Sequence, residues 1–244
     1  MVRIEAEGLS VEFPLYHHNA RSLKKRILAS ASGRFKSDED NRVVVAALRE
    51  LNLKIGKGER VALTGPNGAG KSTLLRVMAG IYEPVAGRLL IEGEIGSLID
   101  PAAGMDTLLT GRENIVLRCL YRGMTEKQGL ALAESVSAFS GLGDFIDVPI
   151  RGYSAGMGLR LSFALATAMT PDILLMDEWF LAGDTDFMER AEERLAQLVT
   201  DAEILVLATH DVHIIRKWCN RVIRLEGGRI VADGPVEEML GPPA

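Results

Sequence analysis

The sequence lacks most of what would mark a secreted, membrane-spanning or nucleic-acid-binding chain. Cysteine occurs twice in 244 residues, as Cys119 and Cys219, far apart and without C-x-x-C spacing. That excludes a disulfide framework and a cysteine zinc site, and fits two inert thiols in a reducing compartment. No uninterrupted apolar run is longer than Val43 to Leu48. A spanning helix needs roughly 18 or more such residues. The N-terminal Met1-Val2-Arg3-Ile4-Glu5-Ala6-Glu7 has no apolar stretch of the signal-peptide kind. An excess of positive charge is missing too: 28 Lys and Arg stand against 33 Asp and Glu, a net charge of −5. The overall basic balance of a nucleic-acid binder is therefore absent. Neither a repeat nor a long low-complexity tract is present. These absences point to the cytosol or the cytosolic face of a membrane. The composition that remains, 47% hydrophobic and 25% charged, is ordinary for a globular protein. The mean hydropathy of +0.11 is slightly apolar. The length suits one compact domain, alone or with an embedded subdomain.

Alternating apolar positions over residues 2–13 predict one or two strands. Arg21 to Lys36 carries six basic residues and no acid, with Leu23, Ile27 and Leu28 at helical spacing. It predicts a short basic amphipathic helix, which could be a solvated face or could lie against anionic headgroups or a membrane subunit. Strands follow over Val43–Ala47 and Glu50–Ile55, then a turn at Gly56-Lys57-Gly58, a buried strand Arg60–Thr64, a helix Lys71–Met78 and a strand Arg88–Ile91. Residues 100–145 predict a helical insert, notably Glu126–Phe139. Ile173–Met176 and Ile204–Ala208 are short apolar strands, each preceded by a helical segment. That alternation predicts a parallel sheet. Val222–Leu225 and Arg229–Val231 around Gly227-Gly228 predict a terminal hairpin. Gly241 to Ala244 reads as a frayed tail.

Gly65, Pro66, Asn67, Gly68, Ala69, Gly70, Lys71 and Ser72, followed by Thr73, match G-x-x-x-x-G-K-[ST]. A glycine-rich turn with a chance lysine would look the same in isolation, but here a strand precedes the motif and a helix follows, as a P-loop requires. Glycines let backbone N–H groups converge on phosphate oxygens, and the helix N-terminus adds favourable partial charge. Lys71 can reach the β and γ phosphates of ATP, and the Ser72 hydroxyl can ligate Mg²⁺. Four apolar residues, Ile173 to Met176, end in Asp177 and Glu178. Two carboxylates after a strand could be a solvated helix cap. Beside a P-loop they suit Mg²⁺ orientation by Asp177 and polarisation of an attacking water by Glu178. His210 is the one histidine at the end of an expected core strand, placed to touch a γ phosphate and hold the water or Glu178; His17, His18 and His213 read as surface residues.

Tyr153-Ser154-Ala155-Gly156-Met157, set before an amphipathic helix over Leu159–Ala168, could serve as a turn and N-cap only. It also resembles the ABC signature motif, Leu-Ser-Gly-Gly-Gln in its family form. Residues 2 to 240 are similar to the ABC ATPase throughout: aromatic, P-loop, glutamine-type loop, helical insert, signature, Walker B strand, Asp loop and switch histidine. The resemblance implies an α/β P-loop NTPase fold with a RecA-like core, an antiparallel β subdomain and a helical signature subdomain near residues 100–165, the whole of 1–244 forming one nucleotide-binding domain. It implies ATP and Mg²⁺ as ligands. It also implies a head-to-tail homodimer with ATP sandwiched between the P-loop and the Ser154, Ala155, Gly156 signature of the other copy. Phe13 matches the aromatic that stacks on adenine, with Tyr16 competing three residues on. Asp184 matches the Asp loop at the dimer interface. Where most ABC ATPases have Gln, this chain has Asp100, whose carboxylate can reach Mg²⁺ but when ionised cannot donate a hydrogen bond; the segment around it could instead contact a membrane partner.

Thr110-Gly111-Arg112-Glu113-Asn114-Ile115 resembles a stretch of the ATPases that export polysaccharides such as O-antigen, capsule or teichoic acid. So do Tyr-Ser-x-Gly-Met with Arg160-Leu161-Ser162-Phe163-Ala164, Leu181-Ala182-Gly183-Asp184 with Phe187, and the N-terminal Pro14-Leu15-Tyr16 with Arg21-Ser22-Leu23-Lys24. This implies an ATPase subunit on the cytoplasmic face of the inner membrane, held there by a separate transmembrane permease, serving O-antigen export and lipopolysaccharide biosynthesis with no nucleic-acid partner. The C-terminal carbohydrate-binding domain of some members is expected to be absent. An exporter of a drug or another lipid, a soluble ABC protein of translation or DNA maintenance, and a regulatory module without turnover are the alternatives.

Overall fold

The computed structural model describes residues 1–14, 35–37, 43–177 and 185–241. Tyr16, His17, His18, Glu178, Asp184 and nearly all of the basic segment lie outside them. The chain divides into two compact units, Met1–Ile95 with Leu175–Glu178 and Glu203–Ala244, and Gly96–Leu174 with Trp179–Ala202. The second is wider than the helical subdomain expected over 100–165.

The first unit holds two sheets. One is antiparallel, in the order β2-β3-β1-β5, from β1 (Arg3–Pro14), β2 (Phe35–Ser37), β3 (Val43–Gly56) and β5 (Ala86–Glu92). β3 is one strand of 14 residues, not the two expected. Glu50 takes φ 51, alone among the described non-glycine residues in being positive. Its N–H donates to Ser10 Oγ at 3.0 Å, and Gly8 N–H donates to Asn52 Oδ1 at 2.8 Å. Side chains thus satisfy the groups that the irregular pairing frees, and the ladder continues through the bulge.

The other sheet carries β4 (Arg60–Thr64) parallel to both β8 (Ile204–Ala208) and β9 (Arg221–Glu226), with β7 (Ile173–Asp177) beyond β8 and β10 (Arg229–Pro235) beyond β9. Val61, Ala62 and Leu63 and all of Ile204–Ala208 are buried, as expected of parallel strands covered on both faces. The C-terminal ends of β4, β7 and β8 deliver Gly65, Asp177 and His210. Helix α1 (Lys71–Met78) opens directly after the glycine-rich loop and buries Leu74, Leu75, Val77 and Met78.

The second unit begins in the short strand β6 (Ile95–Leu98), which no pattern in the sequence marked. It contains α2 (Gly111–Tyr121), α3 (Glu126–Ser140), α4 (Ala155–Ala166) and α5 (Thr185–Asp201). Thr110 with Glu113 and Thr125 with Gln128 form capping boxes that satisfy the first-turn N–H groups of α2 and α3. α4 starts four residues before the expected Leu159, because Ser154 caps it. Ile115, Cys119, Ala133, Val136, Leu161 and Leu165 fill the core between α2, α3 and α4. Phe163 of α4 packs on Phe139 and Phe187 at 6.0 and 5.9 Å between ring centroids. Both thiols are free, and burial raises both above the ordinary cysteine range, Cys219 to about 12. A raised thiol pKa lowers the fraction of thiolate, the reactive form. Among the described residues no helix is long and apolar enough to cross a membrane.

Candidate functional site

The first unit has a cleft of about 270 Å³ lined by Val45, Ala46 and Ala47 of β3, by Asn67 to Thr73, and by Asp177. Its floor is the glycine-rich loop. Gly65, Gly68 and Gly70 take φ 133, 74 and 111, values that side-chain-bearing residues rarely adopt. Space also requires two of these glycines. A Cβ on Gly65 would stand 2.0 Å from the Leu225 carbonyl oxygen, and one on Gly70 would stand 2.9 Å from that of Ala47. The loop turns on itself through Ala69 N–H donating to Pro66 O at 3.0 Å, and Gly228 N–H donates to Ala69 O at 3.0 Å. The β9–β10 hairpin therefore supports the loop from below. Gly228 itself has no room for a Cβ, which would meet Ala47 O at 2.6 Å.

Lys71 is buried, 7% exposed. Its Nζ donates to Gly65 O at 2.8 Å and to Pro66 O at 3.4 Å, and stands 3.2 Å from His210 Nε2. An ammonium has only donors, so a hydrogen bond between the two requires Nε2 to accept. The loop's own carbonyls and His210 thus hold the cation in place. His210 is exposed at the end of β8 and His213 is exposed. Asp177 at the end of β7 and the half-buried Ser72 both face the cleft. Of the residues singled out in the sequence, Asn67, Gly68, Ala69, Gly70, Lys71, Ser72, Thr73 and Asp177 line one cavity, and His210 stands beside Lys71.

Phe13 lies directly opposite Val45 in the β1–β3 ladder. Side chains of opposed antiparallel residues share a face, so Phe13 stands on the face of β3 from which Val45 lines the cleft. Its ring meets Tyr82 edge-on, with centroids 5.1 Å apart and planes at 72°.

In the second unit Ser154, Ala155 and Gly156 are exposed at the start of α4. Ser154 Oγ accepts from Met157 N–H at 3.2 Å, which makes the N-cap one of the two sequence readings of this serine. Asp100 is also in this unit and exposed. The stretch Thr110 to Ile115 has a physical reason for every residue. Thr110 and Glu113 form the capping box, and the hydrogen bonds it provides hold the Glu113 carboxyl below its ordinary pKa. Gly111 leaves room for the Tyr153 hydroxyl, which would stand 2.7 Å from a Cβ there. Arg112 forks onto Asp147 at 2.7 Å and pairs with Glu134. Ile115 is core. Asn114, 3% exposed, accepts from Asp106 N–H at 2.8 Å and donates to Asp106 O and Thr110 O at 3.0 and 2.9 Å. Asn114→Ala would strand the Asp106 N–H and free the 106–110 loop, at a cost of about 1–3 kcal/mol. Denaturant unfolding checks this, and an unchanged midpoint contradicts it. The hydroxyl of half-buried Tyr153 donates to Phe145 O at 2.6 Å. Burial raises its pKa above the ordinary tyrosine value, against the Gly111 backbone N–H.

Sequence reasoning missed Tyr82, Gly228 and the Leu225 carbonyl as parts of the site. The paired glycines 227 and 228 carried a hairpin signal only, and a backbone carbonyl carries no signal of identity.

A family profile described as ABC transporter matches residues 48–181. The chain is 40% identical over 231 residues to the O-antigen export system ATP-binding protein RfbE of Yersinia enterocolitica, covering 94% of this chain and 97% of that protein. It is 36% identical to the teichoic acids export ATP-binding protein TagH of Lactococcus lactis, covering 98% of this chain and 50% of the relative, so it spans half of that protein's length. In three dimensions it is similar to a dimeric ATP-binding cassette solved in a post-hydrolysis state bound to ADP and Pi. The TM-score is 0.69 at 22% identity, over 96% of this chain and 98% of the other.

Proposed function

The chain belongs to the ABC transporter ATPase family, and on that premise we propose that it is the ATP-hydrolysing subunit of a transporter exporting a lipid-linked, O-antigen-like polysaccharide across the inner membrane. The observation that carries this reading is the convergence of the glycine loop, buried Lys71, Ser72 and Asp177 on one cleft. Its groups fit a nucleotide triphosphate. Three positive-φ glycines turn backbone toward the cavity, a cation is held at its floor, and a hydroxyl and a carboxylate form a hard-oxygen pair. No cluster of three metal-ligating side chains exists among the described residues. None is needed where phosphate oxygens and water complete an octahedral shell. Mg²⁺, when bound with ATP, would neutralise phosphate charge, and Ser72 and Asp177 would hold it.

The residues then divide the work. The loop N–H groups and Lys71 bind the β and γ phosphates. Incoming phosphate oxygens replace the Gly65 and Pro66 carbonyls as acceptors for Lys71, which frees His210 to face the γ phosphate. Glu178, one residue past Asp177, polarises the attacking water, and His210 holds that water in line. Phe13 stacks on adenine. Its place opposite Val45, which lines the cleft, supports this. In a homodimer Ser154, Ala155 and Gly156 close on the γ phosphate bound by the other copy, with Asp184 at the interface. Closure drives a separate permease, which keeps the chain at the cytoplasmic face of the membrane, and hydrolysis reopens the dimer. The similarity to an O-antigen export protein of Yersinia and a teichoic acid export protein of Lactococcus supports the export of a surface polysaccharide.

The test is purification of the tagged chain from its own membranes in mild detergent. A polytopic permease is expected to copurify and to raise ATP turnover in reconstituted vesicles. Recovery with ribosomes or DNA instead would overturn the export reading.

A further inference from the structure

Tyr153 immediately precedes the signature serine, and its side chain packs against the core of the second unit. Its hydroxyl donates to Phe145 O at 2.6 Å and lies so close over Gly111 that a Cβ there would be 2.7 Å away. The ring is thus laid across the N-terminus of α2. The backbone follows the same path. Ile150 N–H donates to Leu109 O and Arg151 N–H to Thr107 O, each at 3.0 Å, and Thr110 bridges Pro149. Arg112 ties down Asp147 from the same end of α2, and Asn114 pins the 106–110 loop beneath. Residues 145–153 are therefore laid along residues 107–112 up to the last position before Ser154. Farther along α4, Leu161, Phe163 and Leu165 are locked in the core. Ser154, Ala155 and Gly156 stand exposed between these two anchors.

We propose that Tyr153 is a positioning residue for hydrolysis: clasped between Phe145 O and Gly111, it holds the exposed Ser154 end of α4 in the orientation that engages nucleotide on a second copy of the chain. The inference rests on the reading that the signature acts across a homodimer. Core packing alone would be served by phenylalanine. A Cβ at 111 would meet the Tyr153 hydroxyl at 2.7 Å as well as Ile146 Cδ1 at 2.9 Å and Ile146 O at 3.1 Å, so the glycine is what lets the hydroxyl sit this close to the start of α2.

The test separates positioning from folding. Nucleotide affinity of the monomer reports the first unit, whereas ATP-dependent dimerisation in a Glu178→Gln background reports the signature. Tyr153→Phe is expected to keep monomer nucleotide affinity and the KM for ATP while weakening dimerisation and lowering kcat, each by roughly three- to tenfold, the range one hydrogen bond supplies. Gly111→Ala, which crowds the hydroxyl together with Ile146, should weaken dimerisation and kcat at least as far with monomer nucleotide affinity again kept. Equal dimerisation and kcat in Tyr153→Phe and its parent overturn the inference while leaving the dimer reading intact. Loss of nucleotide affinity together with dimerisation also overturns it, because the role is then structural. A Glu178→Gln parent that stays monomeric in ATP overturns the dimer reading and the inference with it.

Discussion

Gly65→Ala should leave a protein that melts roughly 6–12 °C lower, corresponding to about 3 kcal/mol, and that binds nucleotide at least tenfold more weakly. The added carbon would lie 2.0 Å from the Leu225 carbonyl oxygen and 3.3 Å from the Ala69 side chain. Flexible side chains can swing aside, but a carbonyl in a paired strand cannot. β9 is held in parallel register against β4, with Thr64 opposite Arg224. The φ of 133 at Gly65 adds backbone strain to the clash. Relief requires the loop to lift, and the loop is the phosphate cradle, so stability and binding fall together. Gly158→Ala is the control. Nothing lies within 4 Å of its Cβ position and it sits inside α4, where exchanging glycine for alanine should gain about 0.5–1 kcal/mol. Thermal melts and a fluorescent-nucleotide titration measure both variants. Wild-type melting and affinity in Gly65→Ala would refute the account of the loop.

Glu178→Gln should lower steady-state ATP turnover by about 10²–10⁴-fold, the range for losing a positioned general base. The amide has the size of the carboxylate but cannot take a proton from water. Nucleotide affinity should hold, because the groups that grip phosphate, Lys71 and the loop, are untouched. The dimer should accumulate in its ATP-bound form. Glu178 follows a strand whose four apolar residues are all buried, and Asp177 already lines the cleft. Near wild-type turnover in this variant would remove Glu178 from the mechanism.

The phosphate site was legible because its logic is local. Eight consecutive residues between a strand and a helix specify the loop, and an apolar strand ending in a carboxylate specifies Asp177. The parallel strands followed from short apolar runs, and the family resemblance that the motif order implied is borne out by the match over residues 48–181. What escaped the sequence is long-range. The continuity of β3 through Glu50 depends on Ser10, 40 residues away. The support of the loop depends on a hairpin more than 150 residues downstream. The start of α4 at Ala155 lies four residues before the point at which its apolar spacing begins. The stretch Thr110 to Ile115 was read only by likeness. Its reasons, a capping box, a glycine under a tyrosine and a buried asparagine, involve partners that no helical periodicity reports.

The position of Gly228 under the phosphate loop bears on how the protein is made. Synthesis delivers the loop at residues 65–72, but the carbonyl of Leu225 and the N–H of Gly228 that shape and hold it come more than 150 residues later. A nascent chain halted before residue 221 has the complete phosphate motif and the Asp177 strand, yet lacks the floor beneath them. A phosphate loop of native shape is therefore expected only once residues 221–228 have joined the sheet.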